Sequence, residues 1–372
     1  MNKEILNKLF VEKEIDAVIS NAYQTRLWYS KIQTSDGYLV IEKEKAYLFV
    51  DGRYIEYAKN NAKNVEVILL NGQQTLSDFF DNKRYKKVAF EMDYIVFKDY
   101  KFLESVIKPE KIEHINGQLL RIKKSDEEIE LLKKSIEISL KSYNELMDWI
   151  KPGMTEKQVA AKLNYLMKQN GAEKESFDEI IAAGKNSAEP HHHPTDDVLV
   201  EGEFLKIDFG ALYKGYSADI TRTIILGGDS KANNSELLKI KQIVLDAAKA
   251  GRDAIKPGVS TSYIDKVCRE YIESKGYGKY FVHSTGHGLG IDVHELPNVN
   301  KTKETILEPG MVITVEPGIY IEGLGGYRNE DDVLVTETGR WVLSQKKKKI
   351  KALCAFLNWL LFLYNFTYEV AR

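Results

Sequence analysis

The sequence predicts an α/β protein in two parts, an N-terminal α/β domain and a larger domain made of two related αβ halves. Three observations support this prediction. Short apolar runs alternate with helical patterns up to about residue 122, as in a domain of mixed sheet and helices. A long amphipathic helix follows directly. The chain beyond that helix then repeats its own pattern.

The composition of the 372 residues is that of a globular protein, with 43% hydrophobic and 29% charged residues. It excludes a disordered chain, a collagen-like repeat and a polytopic membrane protein. The formal net charge of −2 provides no basic surface for nucleic acid. Two cysteines exclude a disulfide framework, and the first residues lack the apolar core of a signal peptide. We therefore expect a cytoplasmic protein with neither nucleic-acid nor membrane partners.

Within residues 1–122, the short apolar runs predict strands, and helical patterns lie between them. Helices are expected at the start of the chain, after Tyr54 and around residues 98–106. The charged stretch at residues 121–124 marks the junction with the next domain. The expected strands are Ala17–Ile19, Tyr38–Ile41, Tyr47–Val50, Val65–Leu69 and Lys87–Phe90.

Two capping boxes predict the helices that open the second part. Ser125 with Glu128 begins the first helix, whose apolar residues then recur at spacings of three or four. Pro152-Gly153 ends this helix. Thr155 with Gln158 begins the next one.

The repeat relates these helices and the strands after them to a later segment. Ile150–Gly153 recurs as Ile255–Gly258, an offset of 105 residues, and Gly215–Asp219 matches Gly326–Glu330 at an offset of 111. Chance likeness between helix–turn–helix–strand units is the alternative, but five matches in register favour duplication. We therefore predict two αβ halves related by approximate two-fold symmetry, with a shared site between them.

The repeated positions include four acidic residues, because Asp208 corresponds to Glu316 and Asp219 to Glu330. Apolar runs that read as buried strands precede Asp208 and Glu316. Four clustered and buried carboxylates need cations to balance them, although for any single residue a surface position is the alternative. Two divalent metal ions would balance the four charges.

Six of the seven histidines fall in two short windows, which favours a metal or acid–base site. His287 lies in the glycine-rich stretch Gly286–Gly290. A phosphate-binding loop is the alternative there, but no P-loop lysine follows. One imidazole added to carboxylates favours manganese, cobalt, iron or zinc over calcium.

These motifs together resemble the signature of the proline-specific pita-bread metallopeptidases, the family of aminopeptidase P and prolidase. The resemblance covers about residues 1–345, and its N-terminal part resembles the domain shared with creatinase. The family usually has aliphatic residues where Glu189 and Asn329 stand. The segments that carry the resemblance are residues 281–295, Ile207–Gly210, Asp219–Thr223, Val315–Gly318 and Arg328–Asp331.

The resemblance implies a site with two divalent metal ions per subunit, manganese first, with cobalt, zinc or iron as alternatives. All five ligand positions are filled, by Asp208, Asp219, His287, Glu316 and Glu330. Asp208 is expected on one metal and His287 with Glu316 on the other. Asp219 and Glu330 are expected to bridge the two.

The resemblance also implies residue roles around a hydroxide that bridges the metals and attacks the scissile carbonyl. Glu316 is expected to take the proton from this nucleophile, while His191 and His294 stabilise the developing oxyanion. His283 and Arg328 are expected to support the metal ligands. A packed structural role for His283 and an ordinary ion pair for Arg328 are the alternatives.

The implied activity is that of a Xaa-Pro aminopeptidase, a homodimer that acts on proline-containing peptides. A strict Xaa-Pro dipeptidase uses the same motifs and is the nearest alternative. A non-catalytic interaction protein on the same fold is the alternative from another class. Creatinase fits less well because it lacks metal ligands, and methionine aminopeptidase because it lacks the N-terminal domain.

The expected domains are residues 1–122, residues 123–345 and an atypical tail of residues 346–372. In the tail, four lysines precede the apolar run Ala352–Tyr364, which is shorter than the roughly 20 residues that span a bilayer. A membrane anchor and a helix packed on the body are two interpretations. We favour a third, a reading-frame slip at the lysine run, because the residues after it match nothing in the family.

Overall fold

A computed structural model describes residues 1 and 3–345, so the predictions for the tail concern residues outside the described range. The mixed α/β class predicted above is confirmed. Over the described residues, no helix combines the length and the apolar character needed to cross a membrane.

The N-terminal part consists of a sheet with helices on its faces. Its six described strands lie in the order β4-β3-β2-β1-β5-β6, and β1 pairs in parallel with β5 and antiparallel with β2. The strands are β1 (Ala17–Ser20), β2 (Tyr38–Ile41), β3 (Ala46–Val50), β4 (Glu66–Leu69), β5 (Lys87–Glu91) and β6 (Lys111–Ile115). The helices are α1 (Glu4–Lys13), α2 (Tyr23–Ser30), α3 (Ile55–Asn61), α4 (Gln73–Lys83), α5 (Phe97–Ile107) and α6 (Gly117–Leu120).

The five predicted strands all form here, whereas α2, α4, α6 and β6 were not predicted. Strand β6 lies at the edge of the sheet and none of its residues is fully buried, so it has no apolar run to reveal it. Helix α4 buries only Leu76 and Phe80. Apart from the partly buried Phe79, its other residues are polar, so the apolar pattern is too short to predict a helix.

The second part contains two pairs of long helices and several small sheets. Both predicted capping boxes are present, at Ser125 and Thr155, and each such cap stabilises its helix by about 1 kcal/mol. The helices are α7 (Asp126–Trp149), α8 (Glu156–Gln169), α9 (Ser235–Ala254) and α10 (Thr261–Ser274). The strands are β7 (Lys174–Glu175), β8 (Ile180–Ala183), β9 (Phe204–Phe209), β10 (Ala211–Tyr213), β11 (Tyr216–Ser217), β12 (Ile220–Ile225), β13 (Gly286–Gly288), β14 (Glu295–Val299), β15 (Val312–Val315), β16 (Gly318–Ile321), β17 (Gly325–Arg328), β18 (Asp331–Thr336) and β19 (Gly339–Val342).

The two halves predicted from the repeat correspond to two helix pairs with their sheets. Helix α7 packs on the sheet β11-β10-β7, and α8 on that sheet and on the sheet β12-β9-β8. Helices α9 and α10 pack on the sheet β14-β13-β15-β18-β19. The halves meet where Arg222 of β12 forms a β-bridge with Asn329. This junction brings the residues next to β12 close to those that precede β18.

Buried cations connect the N-terminal part to the second part. The Arg121 side chain is 2% exposed, and its guanidinium lies 3.2 Å from both Asp292 and Glu295. The Lys124 ammonium lies 2.6 Å from the same Glu295. Asp292 also accepts a hydrogen bond from Gln24 at 2.8 Å. The loop between β13 and β14 is therefore tied to the N-terminal part.

Candidate active site

One cavity of about 380 Å³ brings together every residue that the sequence singled out for a site. The cavity is lined by residues of both halves and by Val293 of the loop between β13 and β14. The predicted site residues that line it are His191, Asp208, Asp219, His283, His287, His294, Glu316, Arg328 and Glu330.

The four acidic residues lie at the ends of two antiparallel strand pairs. Asp208 is on β9, opposite Thr221 of β12, and Asp219 immediately precedes β12. Glu316 immediately follows β15, and Glu330 immediately precedes its partner β18. Because the two strand pairs meet at the junction of the halves, all four carboxylates face one space.

The fifth predicted ligand, His287, lies on a strand and not in a loop. It is the middle residue of β13, which pairs with β14 and β15. A Cβ atom on Gly286 would lie 2.1 Å from the Thr314 carbonyl oxygen, and one on Gly288 would lie 2.2 Å from that of Leu296. The glycines therefore let neighbouring strands approach the histidine closely.

The imidazole of His287 has a defined orientation. Its Nδ1 lies 3.1 Å from the Gly288 carbonyl oxygen, so Nδ1–H donates there in the neutral ring. The Nε2 atom then faces the acids, 3.3 Å from Glu316 and 3.4 Å from Asp219. A nitrogen lone pair directed at two carboxylates suits a shared cation.

Several combinations of side chains could hold a metal ion, because each offers a ligand atom within 4.8 Å of the others. The three groups are Asp208 with Asp219 and Glu330, His287 with Glu316 and Glu330, and Asp219 with His287 and His294. The first two contain the five predicted ligands. The third adds His294, which the sequence analysis assigned to the oxyanion.

The carboxylates repel one another, and this repulsion changes their pKa values. Burial and the negative charges of the other acids raise the pKa values of Asp219 and Glu330 well above their ordinary values. Burial would also raise the pKa of Glu316, but the hydrogen bond and charge of His287 lower it to about 2. The site thus concentrates negative charge that a cation would neutralise.

Unpaired oxygen atoms support the same conclusion. Oδ1 of Asp208 and Oε1 of Glu330 are buried and have no hydrogen-bond partner among the described residues. A buried carboxylate oxygen without a partner is costly unless a cation binds it. The oxygen-rich donor set with one imidazole therefore fits divalent metal ions.

Comparison with known proteins identifies the family of this chain. The profile of metallopeptidase family M24 matches residues 130–337, and that of the Creatinase/Prolidase N-terminal domain matches residues 4–122. The chain belongs to metallopeptidase family M24. The family predicted by resemblance is therefore confirmed, and membership implies bound divalent metal ions.

Individual relatives of this M24 chain are similar over nearly its whole length. It is 38% identical to a Xaa-Pro dipeptidase of Pyrococcus furiosus, over 93% of this chain and 98% of the relative. Among solved structures it is similar to a Xaa-Pro dipeptidase from Bacillus anthracis (36% identity, TM-score 0.86, 93% and 97% of the two chains). It is also similar to an X-Pro aminopeptidase from Thermotoga maritima MSB8 (34% identity, TM-score 0.83, 90% and 97%).

Arg328 lies behind the acids of the M24 site and is buried. Its guanidinium forms a short ion pair with Asp208 and donates to the Thr221 hydroxyl at 3.0 Å. It also donates to the Tyr320 hydroxyl at 3.1 Å and to the Pro190 carbonyl at 3.2 Å. One planar side chain thus touches an acid of the first half and the segment that carries His191.

His283 is held as a neutral ring. Its Nδ1 lies 2.7 Å from the Ser284 carbonyl, and its Nε2 lies 2.8 Å from the Tyr320 hydroxyl. Removal from bulk water lowers the pKa of His283 to about 4. Burial raises the pKa of Tyr320 to about 12, so this hydroxyl keeps its proton and donates a hydrogen bond to Nε2.

The other histidines at the cavity differ in surroundings. His294 is exposed and its ring centre lies 4.2 Å from that of His287. Partial removal from water and the charge of His287 lower the pKa of His294. His191 and His193 are exposed at the cavity wall, whereas His192 is buried.

Three buried residues beside the site were not singled out from the sequence. Glu156 is fully buried and binds the loop after His191, through Thr195 and His192. Lys206 is fully buried in β9, and Asp332 is fully buried at the start of β18. The signal was a charged residue inside an apolar run: Lys206 interrupts the run that precedes Asp208.

Proposed function

We propose that this M24 chain is a metal-dependent Xaa-Pro aminopeptidase, which releases the first residue of peptides with proline in second position. The observation that carries the proposal is the single cavity in which four acids and His287 converge beside the exposed imidazoles of His191 and His294. The names of the similar proteins support a proline-directed peptidase.

We propose that Asp208, Asp219, His287, Glu316 and Glu330 hold two divalent metal ions, with Asp219 and Glu330 shared between them. Bound metals would supply Lewis acidity, which polarises the scissile carbonyl and lowers the pKa of water. Manganese is the metal we propose. Metal analysis of the purified protein, with reactivation of the stripped protein by each candidate ion, tests this choice.

The side chains of the chain supply the proton transfers. We assign Glu316 as the carboxylate that accepts a proton from the attacking water, because it lines the cavity next to His287. The lowered pKa of His294 favours its neutral ring, which donates an N–H hydrogen bond to the oxygen that becomes negatively charged. His191 donates a second one. Arg328 and His283 keep Asp208 and the cavity wall in place.

The lining of the cavity favours an aminopeptidase over a strict dipeptidase. A dipeptide brings its C-terminal carboxylate into the site, and burying that charge requires a cationic partner. Arg328 is the only arginine or lysine among the described lining residues, and Asp208 already pairs with it. A longer peptide has an uncharged amide at that point and directs its chain outward.

Hydrolysis of two substrates tests the proposal. With metal-loaded protein, we expect a Xaa-Pro-containing tripeptide to be cleaved at a higher kcat/KM than the matching Xaa-Pro dipeptide. Cleavage of the dipeptide alone would identify a strict dipeptidase. Absence of both activities in protein that holds metal would contradict the peptidase assignment and indicate an interaction protein.

We also propose that the chain acts as a homodimer in the cytoplasm, as the family resemblance implies. Light scattering coupled to size-exclusion chromatography measures the mass of the assembly. A monomer at micromolar concentration would contradict the dimer.

A further inference from the structure

Lys206 is a buried lysine that forms no salt bridge with a carboxylate of the described residues. It is 0% exposed, and within the described part of the chain its three hydrogen bonds all go to backbone carbonyls. Its ammonium lies 5.4 Å from the centre of the Tyr320 ring. Burial of a lysine without an ion-pair partner costs stability, so a position of this kind calls for a compensating role.

The three carbonyls belong to one segment. Lys206 donates to Ser187 at 3.1 Å, to Glu189 through a short bond and to Pro190 at 3.4 Å. This segment is a 3₁₀ turn, Gly184–Ala188, followed by Glu189 and Pro190. Pro190 is bonded directly to His191, which lies at the cavity wall.

A second buried side chain holds the same peptide group. Arg328 donates to the Pro190 carbonyl at 3.2 Å, so that carbonyl accepts from both Lys206 and Arg328. The His191 side chain itself has no hydrogen bond within the described residues, and it is exposed to the cavity. Its location is therefore determined by the backbone that precedes it.

We infer that Lys206 is a positioning residue for His191: it fixes the backbone of residues 187–190 so that the imidazole of His191 faces the scissile bond. The inference rests on the proposed role of His191. A shift of about 1 Å in such a group can reduce the rate about 100-fold. Loss of the hydrogen bonds from Lys206 should therefore slow the hydrolysis step.

A double-mutant cycle tests this inference on the metal-loaded enzyme. The four proteins are the wild type, Lys206→Met, His191→Ala and the double variant, compared by metal content, kcat and KM on the same tripeptide. We expect Lys206→Met to keep its metals and its KM while kcat falls by about 10- to 100-fold. Since Lys206 acts through His191, the double variant should be no slower than His191→Ala.

Two further variants complete the design. Lys185→Met makes the same chemical change at an exposed lysine of the same 3₁₀ turn, and it should leave kcat unchanged. Lys206→Gln keeps a donor at the position, and the same cycle is run with it if Lys206→Met does not fold.

The outcomes separate the two hypotheses. An equal kcat loss from Lys206→Met in both backgrounds, or no loss at all, would overturn the positioning role alone. If His191→Ala leaves kcat unchanged, the proposed role of His191 fails, and the positioning role of Lys206 fails with it.

Discussion

The Nε2 atom of His192 lies 2.8 Å from the buried carboxylate of Glu156, and Nδ1 of the same ring lies 2.8 Å from Glu189. Ionised carboxylates only accept hydrogen bonds, so both ring nitrogens donate and the imidazole is protonated. Although burial opposes it, the two bonds raise the pKa of His192 above 6.5. The contact with Glu156 holds the loop that begins at His191 in place.

We therefore expect the contribution of His192 to stability to depend on pH. A pKa raised in the folded state means that folding binds a proton. The contribution is complete below the unfolded-state pKa of about 6.5 and is lost as the pH rises through the folded-state value. His192→Asn should thus lower Tm more at about pH 6 than at about pH 9. His193→Asn, an exposed neighbour, is the control, and an equal Tm loss at both pH values would contradict the prediction.

Glu330→Ala should abolish turnover and loosen both metals, because a bridging carboxylate serves two ions. Thr221 donates to the Oε2 atom of Glu330 at 2.7 Å, while Oε1 has no hydrogen-bond partner among the described residues and faces the site. Metal content by mass spectrometry and turnover on the tripeptide measure the effect. Glu337→Ala, at an exposed position, is the matched control. Near-normal turnover with two metals retained would refute the bridging role.

His294→Ala should keep both metals and lose turnover by about 100-fold, the scale of one lost oxyanion donor. The alternative is that His294 binds a metal, because it also lies within 4.8 Å of ligand atoms on Asp219 and His287. If metal content falls together with the rate, His294 is a ligand. His114→Ala, an exposed histidine of the N-terminal part, should change neither quantity.

Arg121→Met should destabilise the protein by about 3 to 5 kcal/mol, because it leaves the buried Glu91 without a cation and leaves Glu295 with Lys124 alone. Glu295 is 1% exposed in its side chain and lies 3.2 Å from Arg121. Urea unfolding measures the free energy. Lys123→Met removes a cation whose partners, Glu4 and Glu308, are largely exposed, so a much smaller change is expected. Equal changes in the two variants would contradict this ranking.

Truncation after Gln345 should leave folding and peptidase activity intact and improve solubility, since it removes the apolar run of the tail. The two proteins are compared by turnover, Tm and membrane fractionation. Gln345 itself donates to Asp331 at 2.8 Å and is kept. Loss of activity on truncation, or recovery in membranes that depends on the tail without aggregation, would show that the segment belongs to the working protein.

Much of the fold was predictable because its signals are local. Apolar runs predicted β1 to β5, and the capping boxes at Ser125 and Thr155 predicted the starts of α7 and α8. Elements with little apolar periodicity, such as β6 and α4, were missed. The domain limits at residues 122 and 345 stay predictions, and the tail lies outside the described residues.

The sequence by itself determined the class of the fold, its two-part organisation and the residue types of the site. Apolar periodicity, helix caps and the internal repeat can be recognised from the order of residues along the chain. Only the tertiary structure decided which atoms meet. It pairs Arg328 with Asp208 and Lys206 with the carbonyls before His191, and it buries His192 while His193 stays exposed. The pairing of Arg328 with Asp208 joins residues 120 positions apart and depends on how the two halves pack. No local pattern in the chain encodes such a distance.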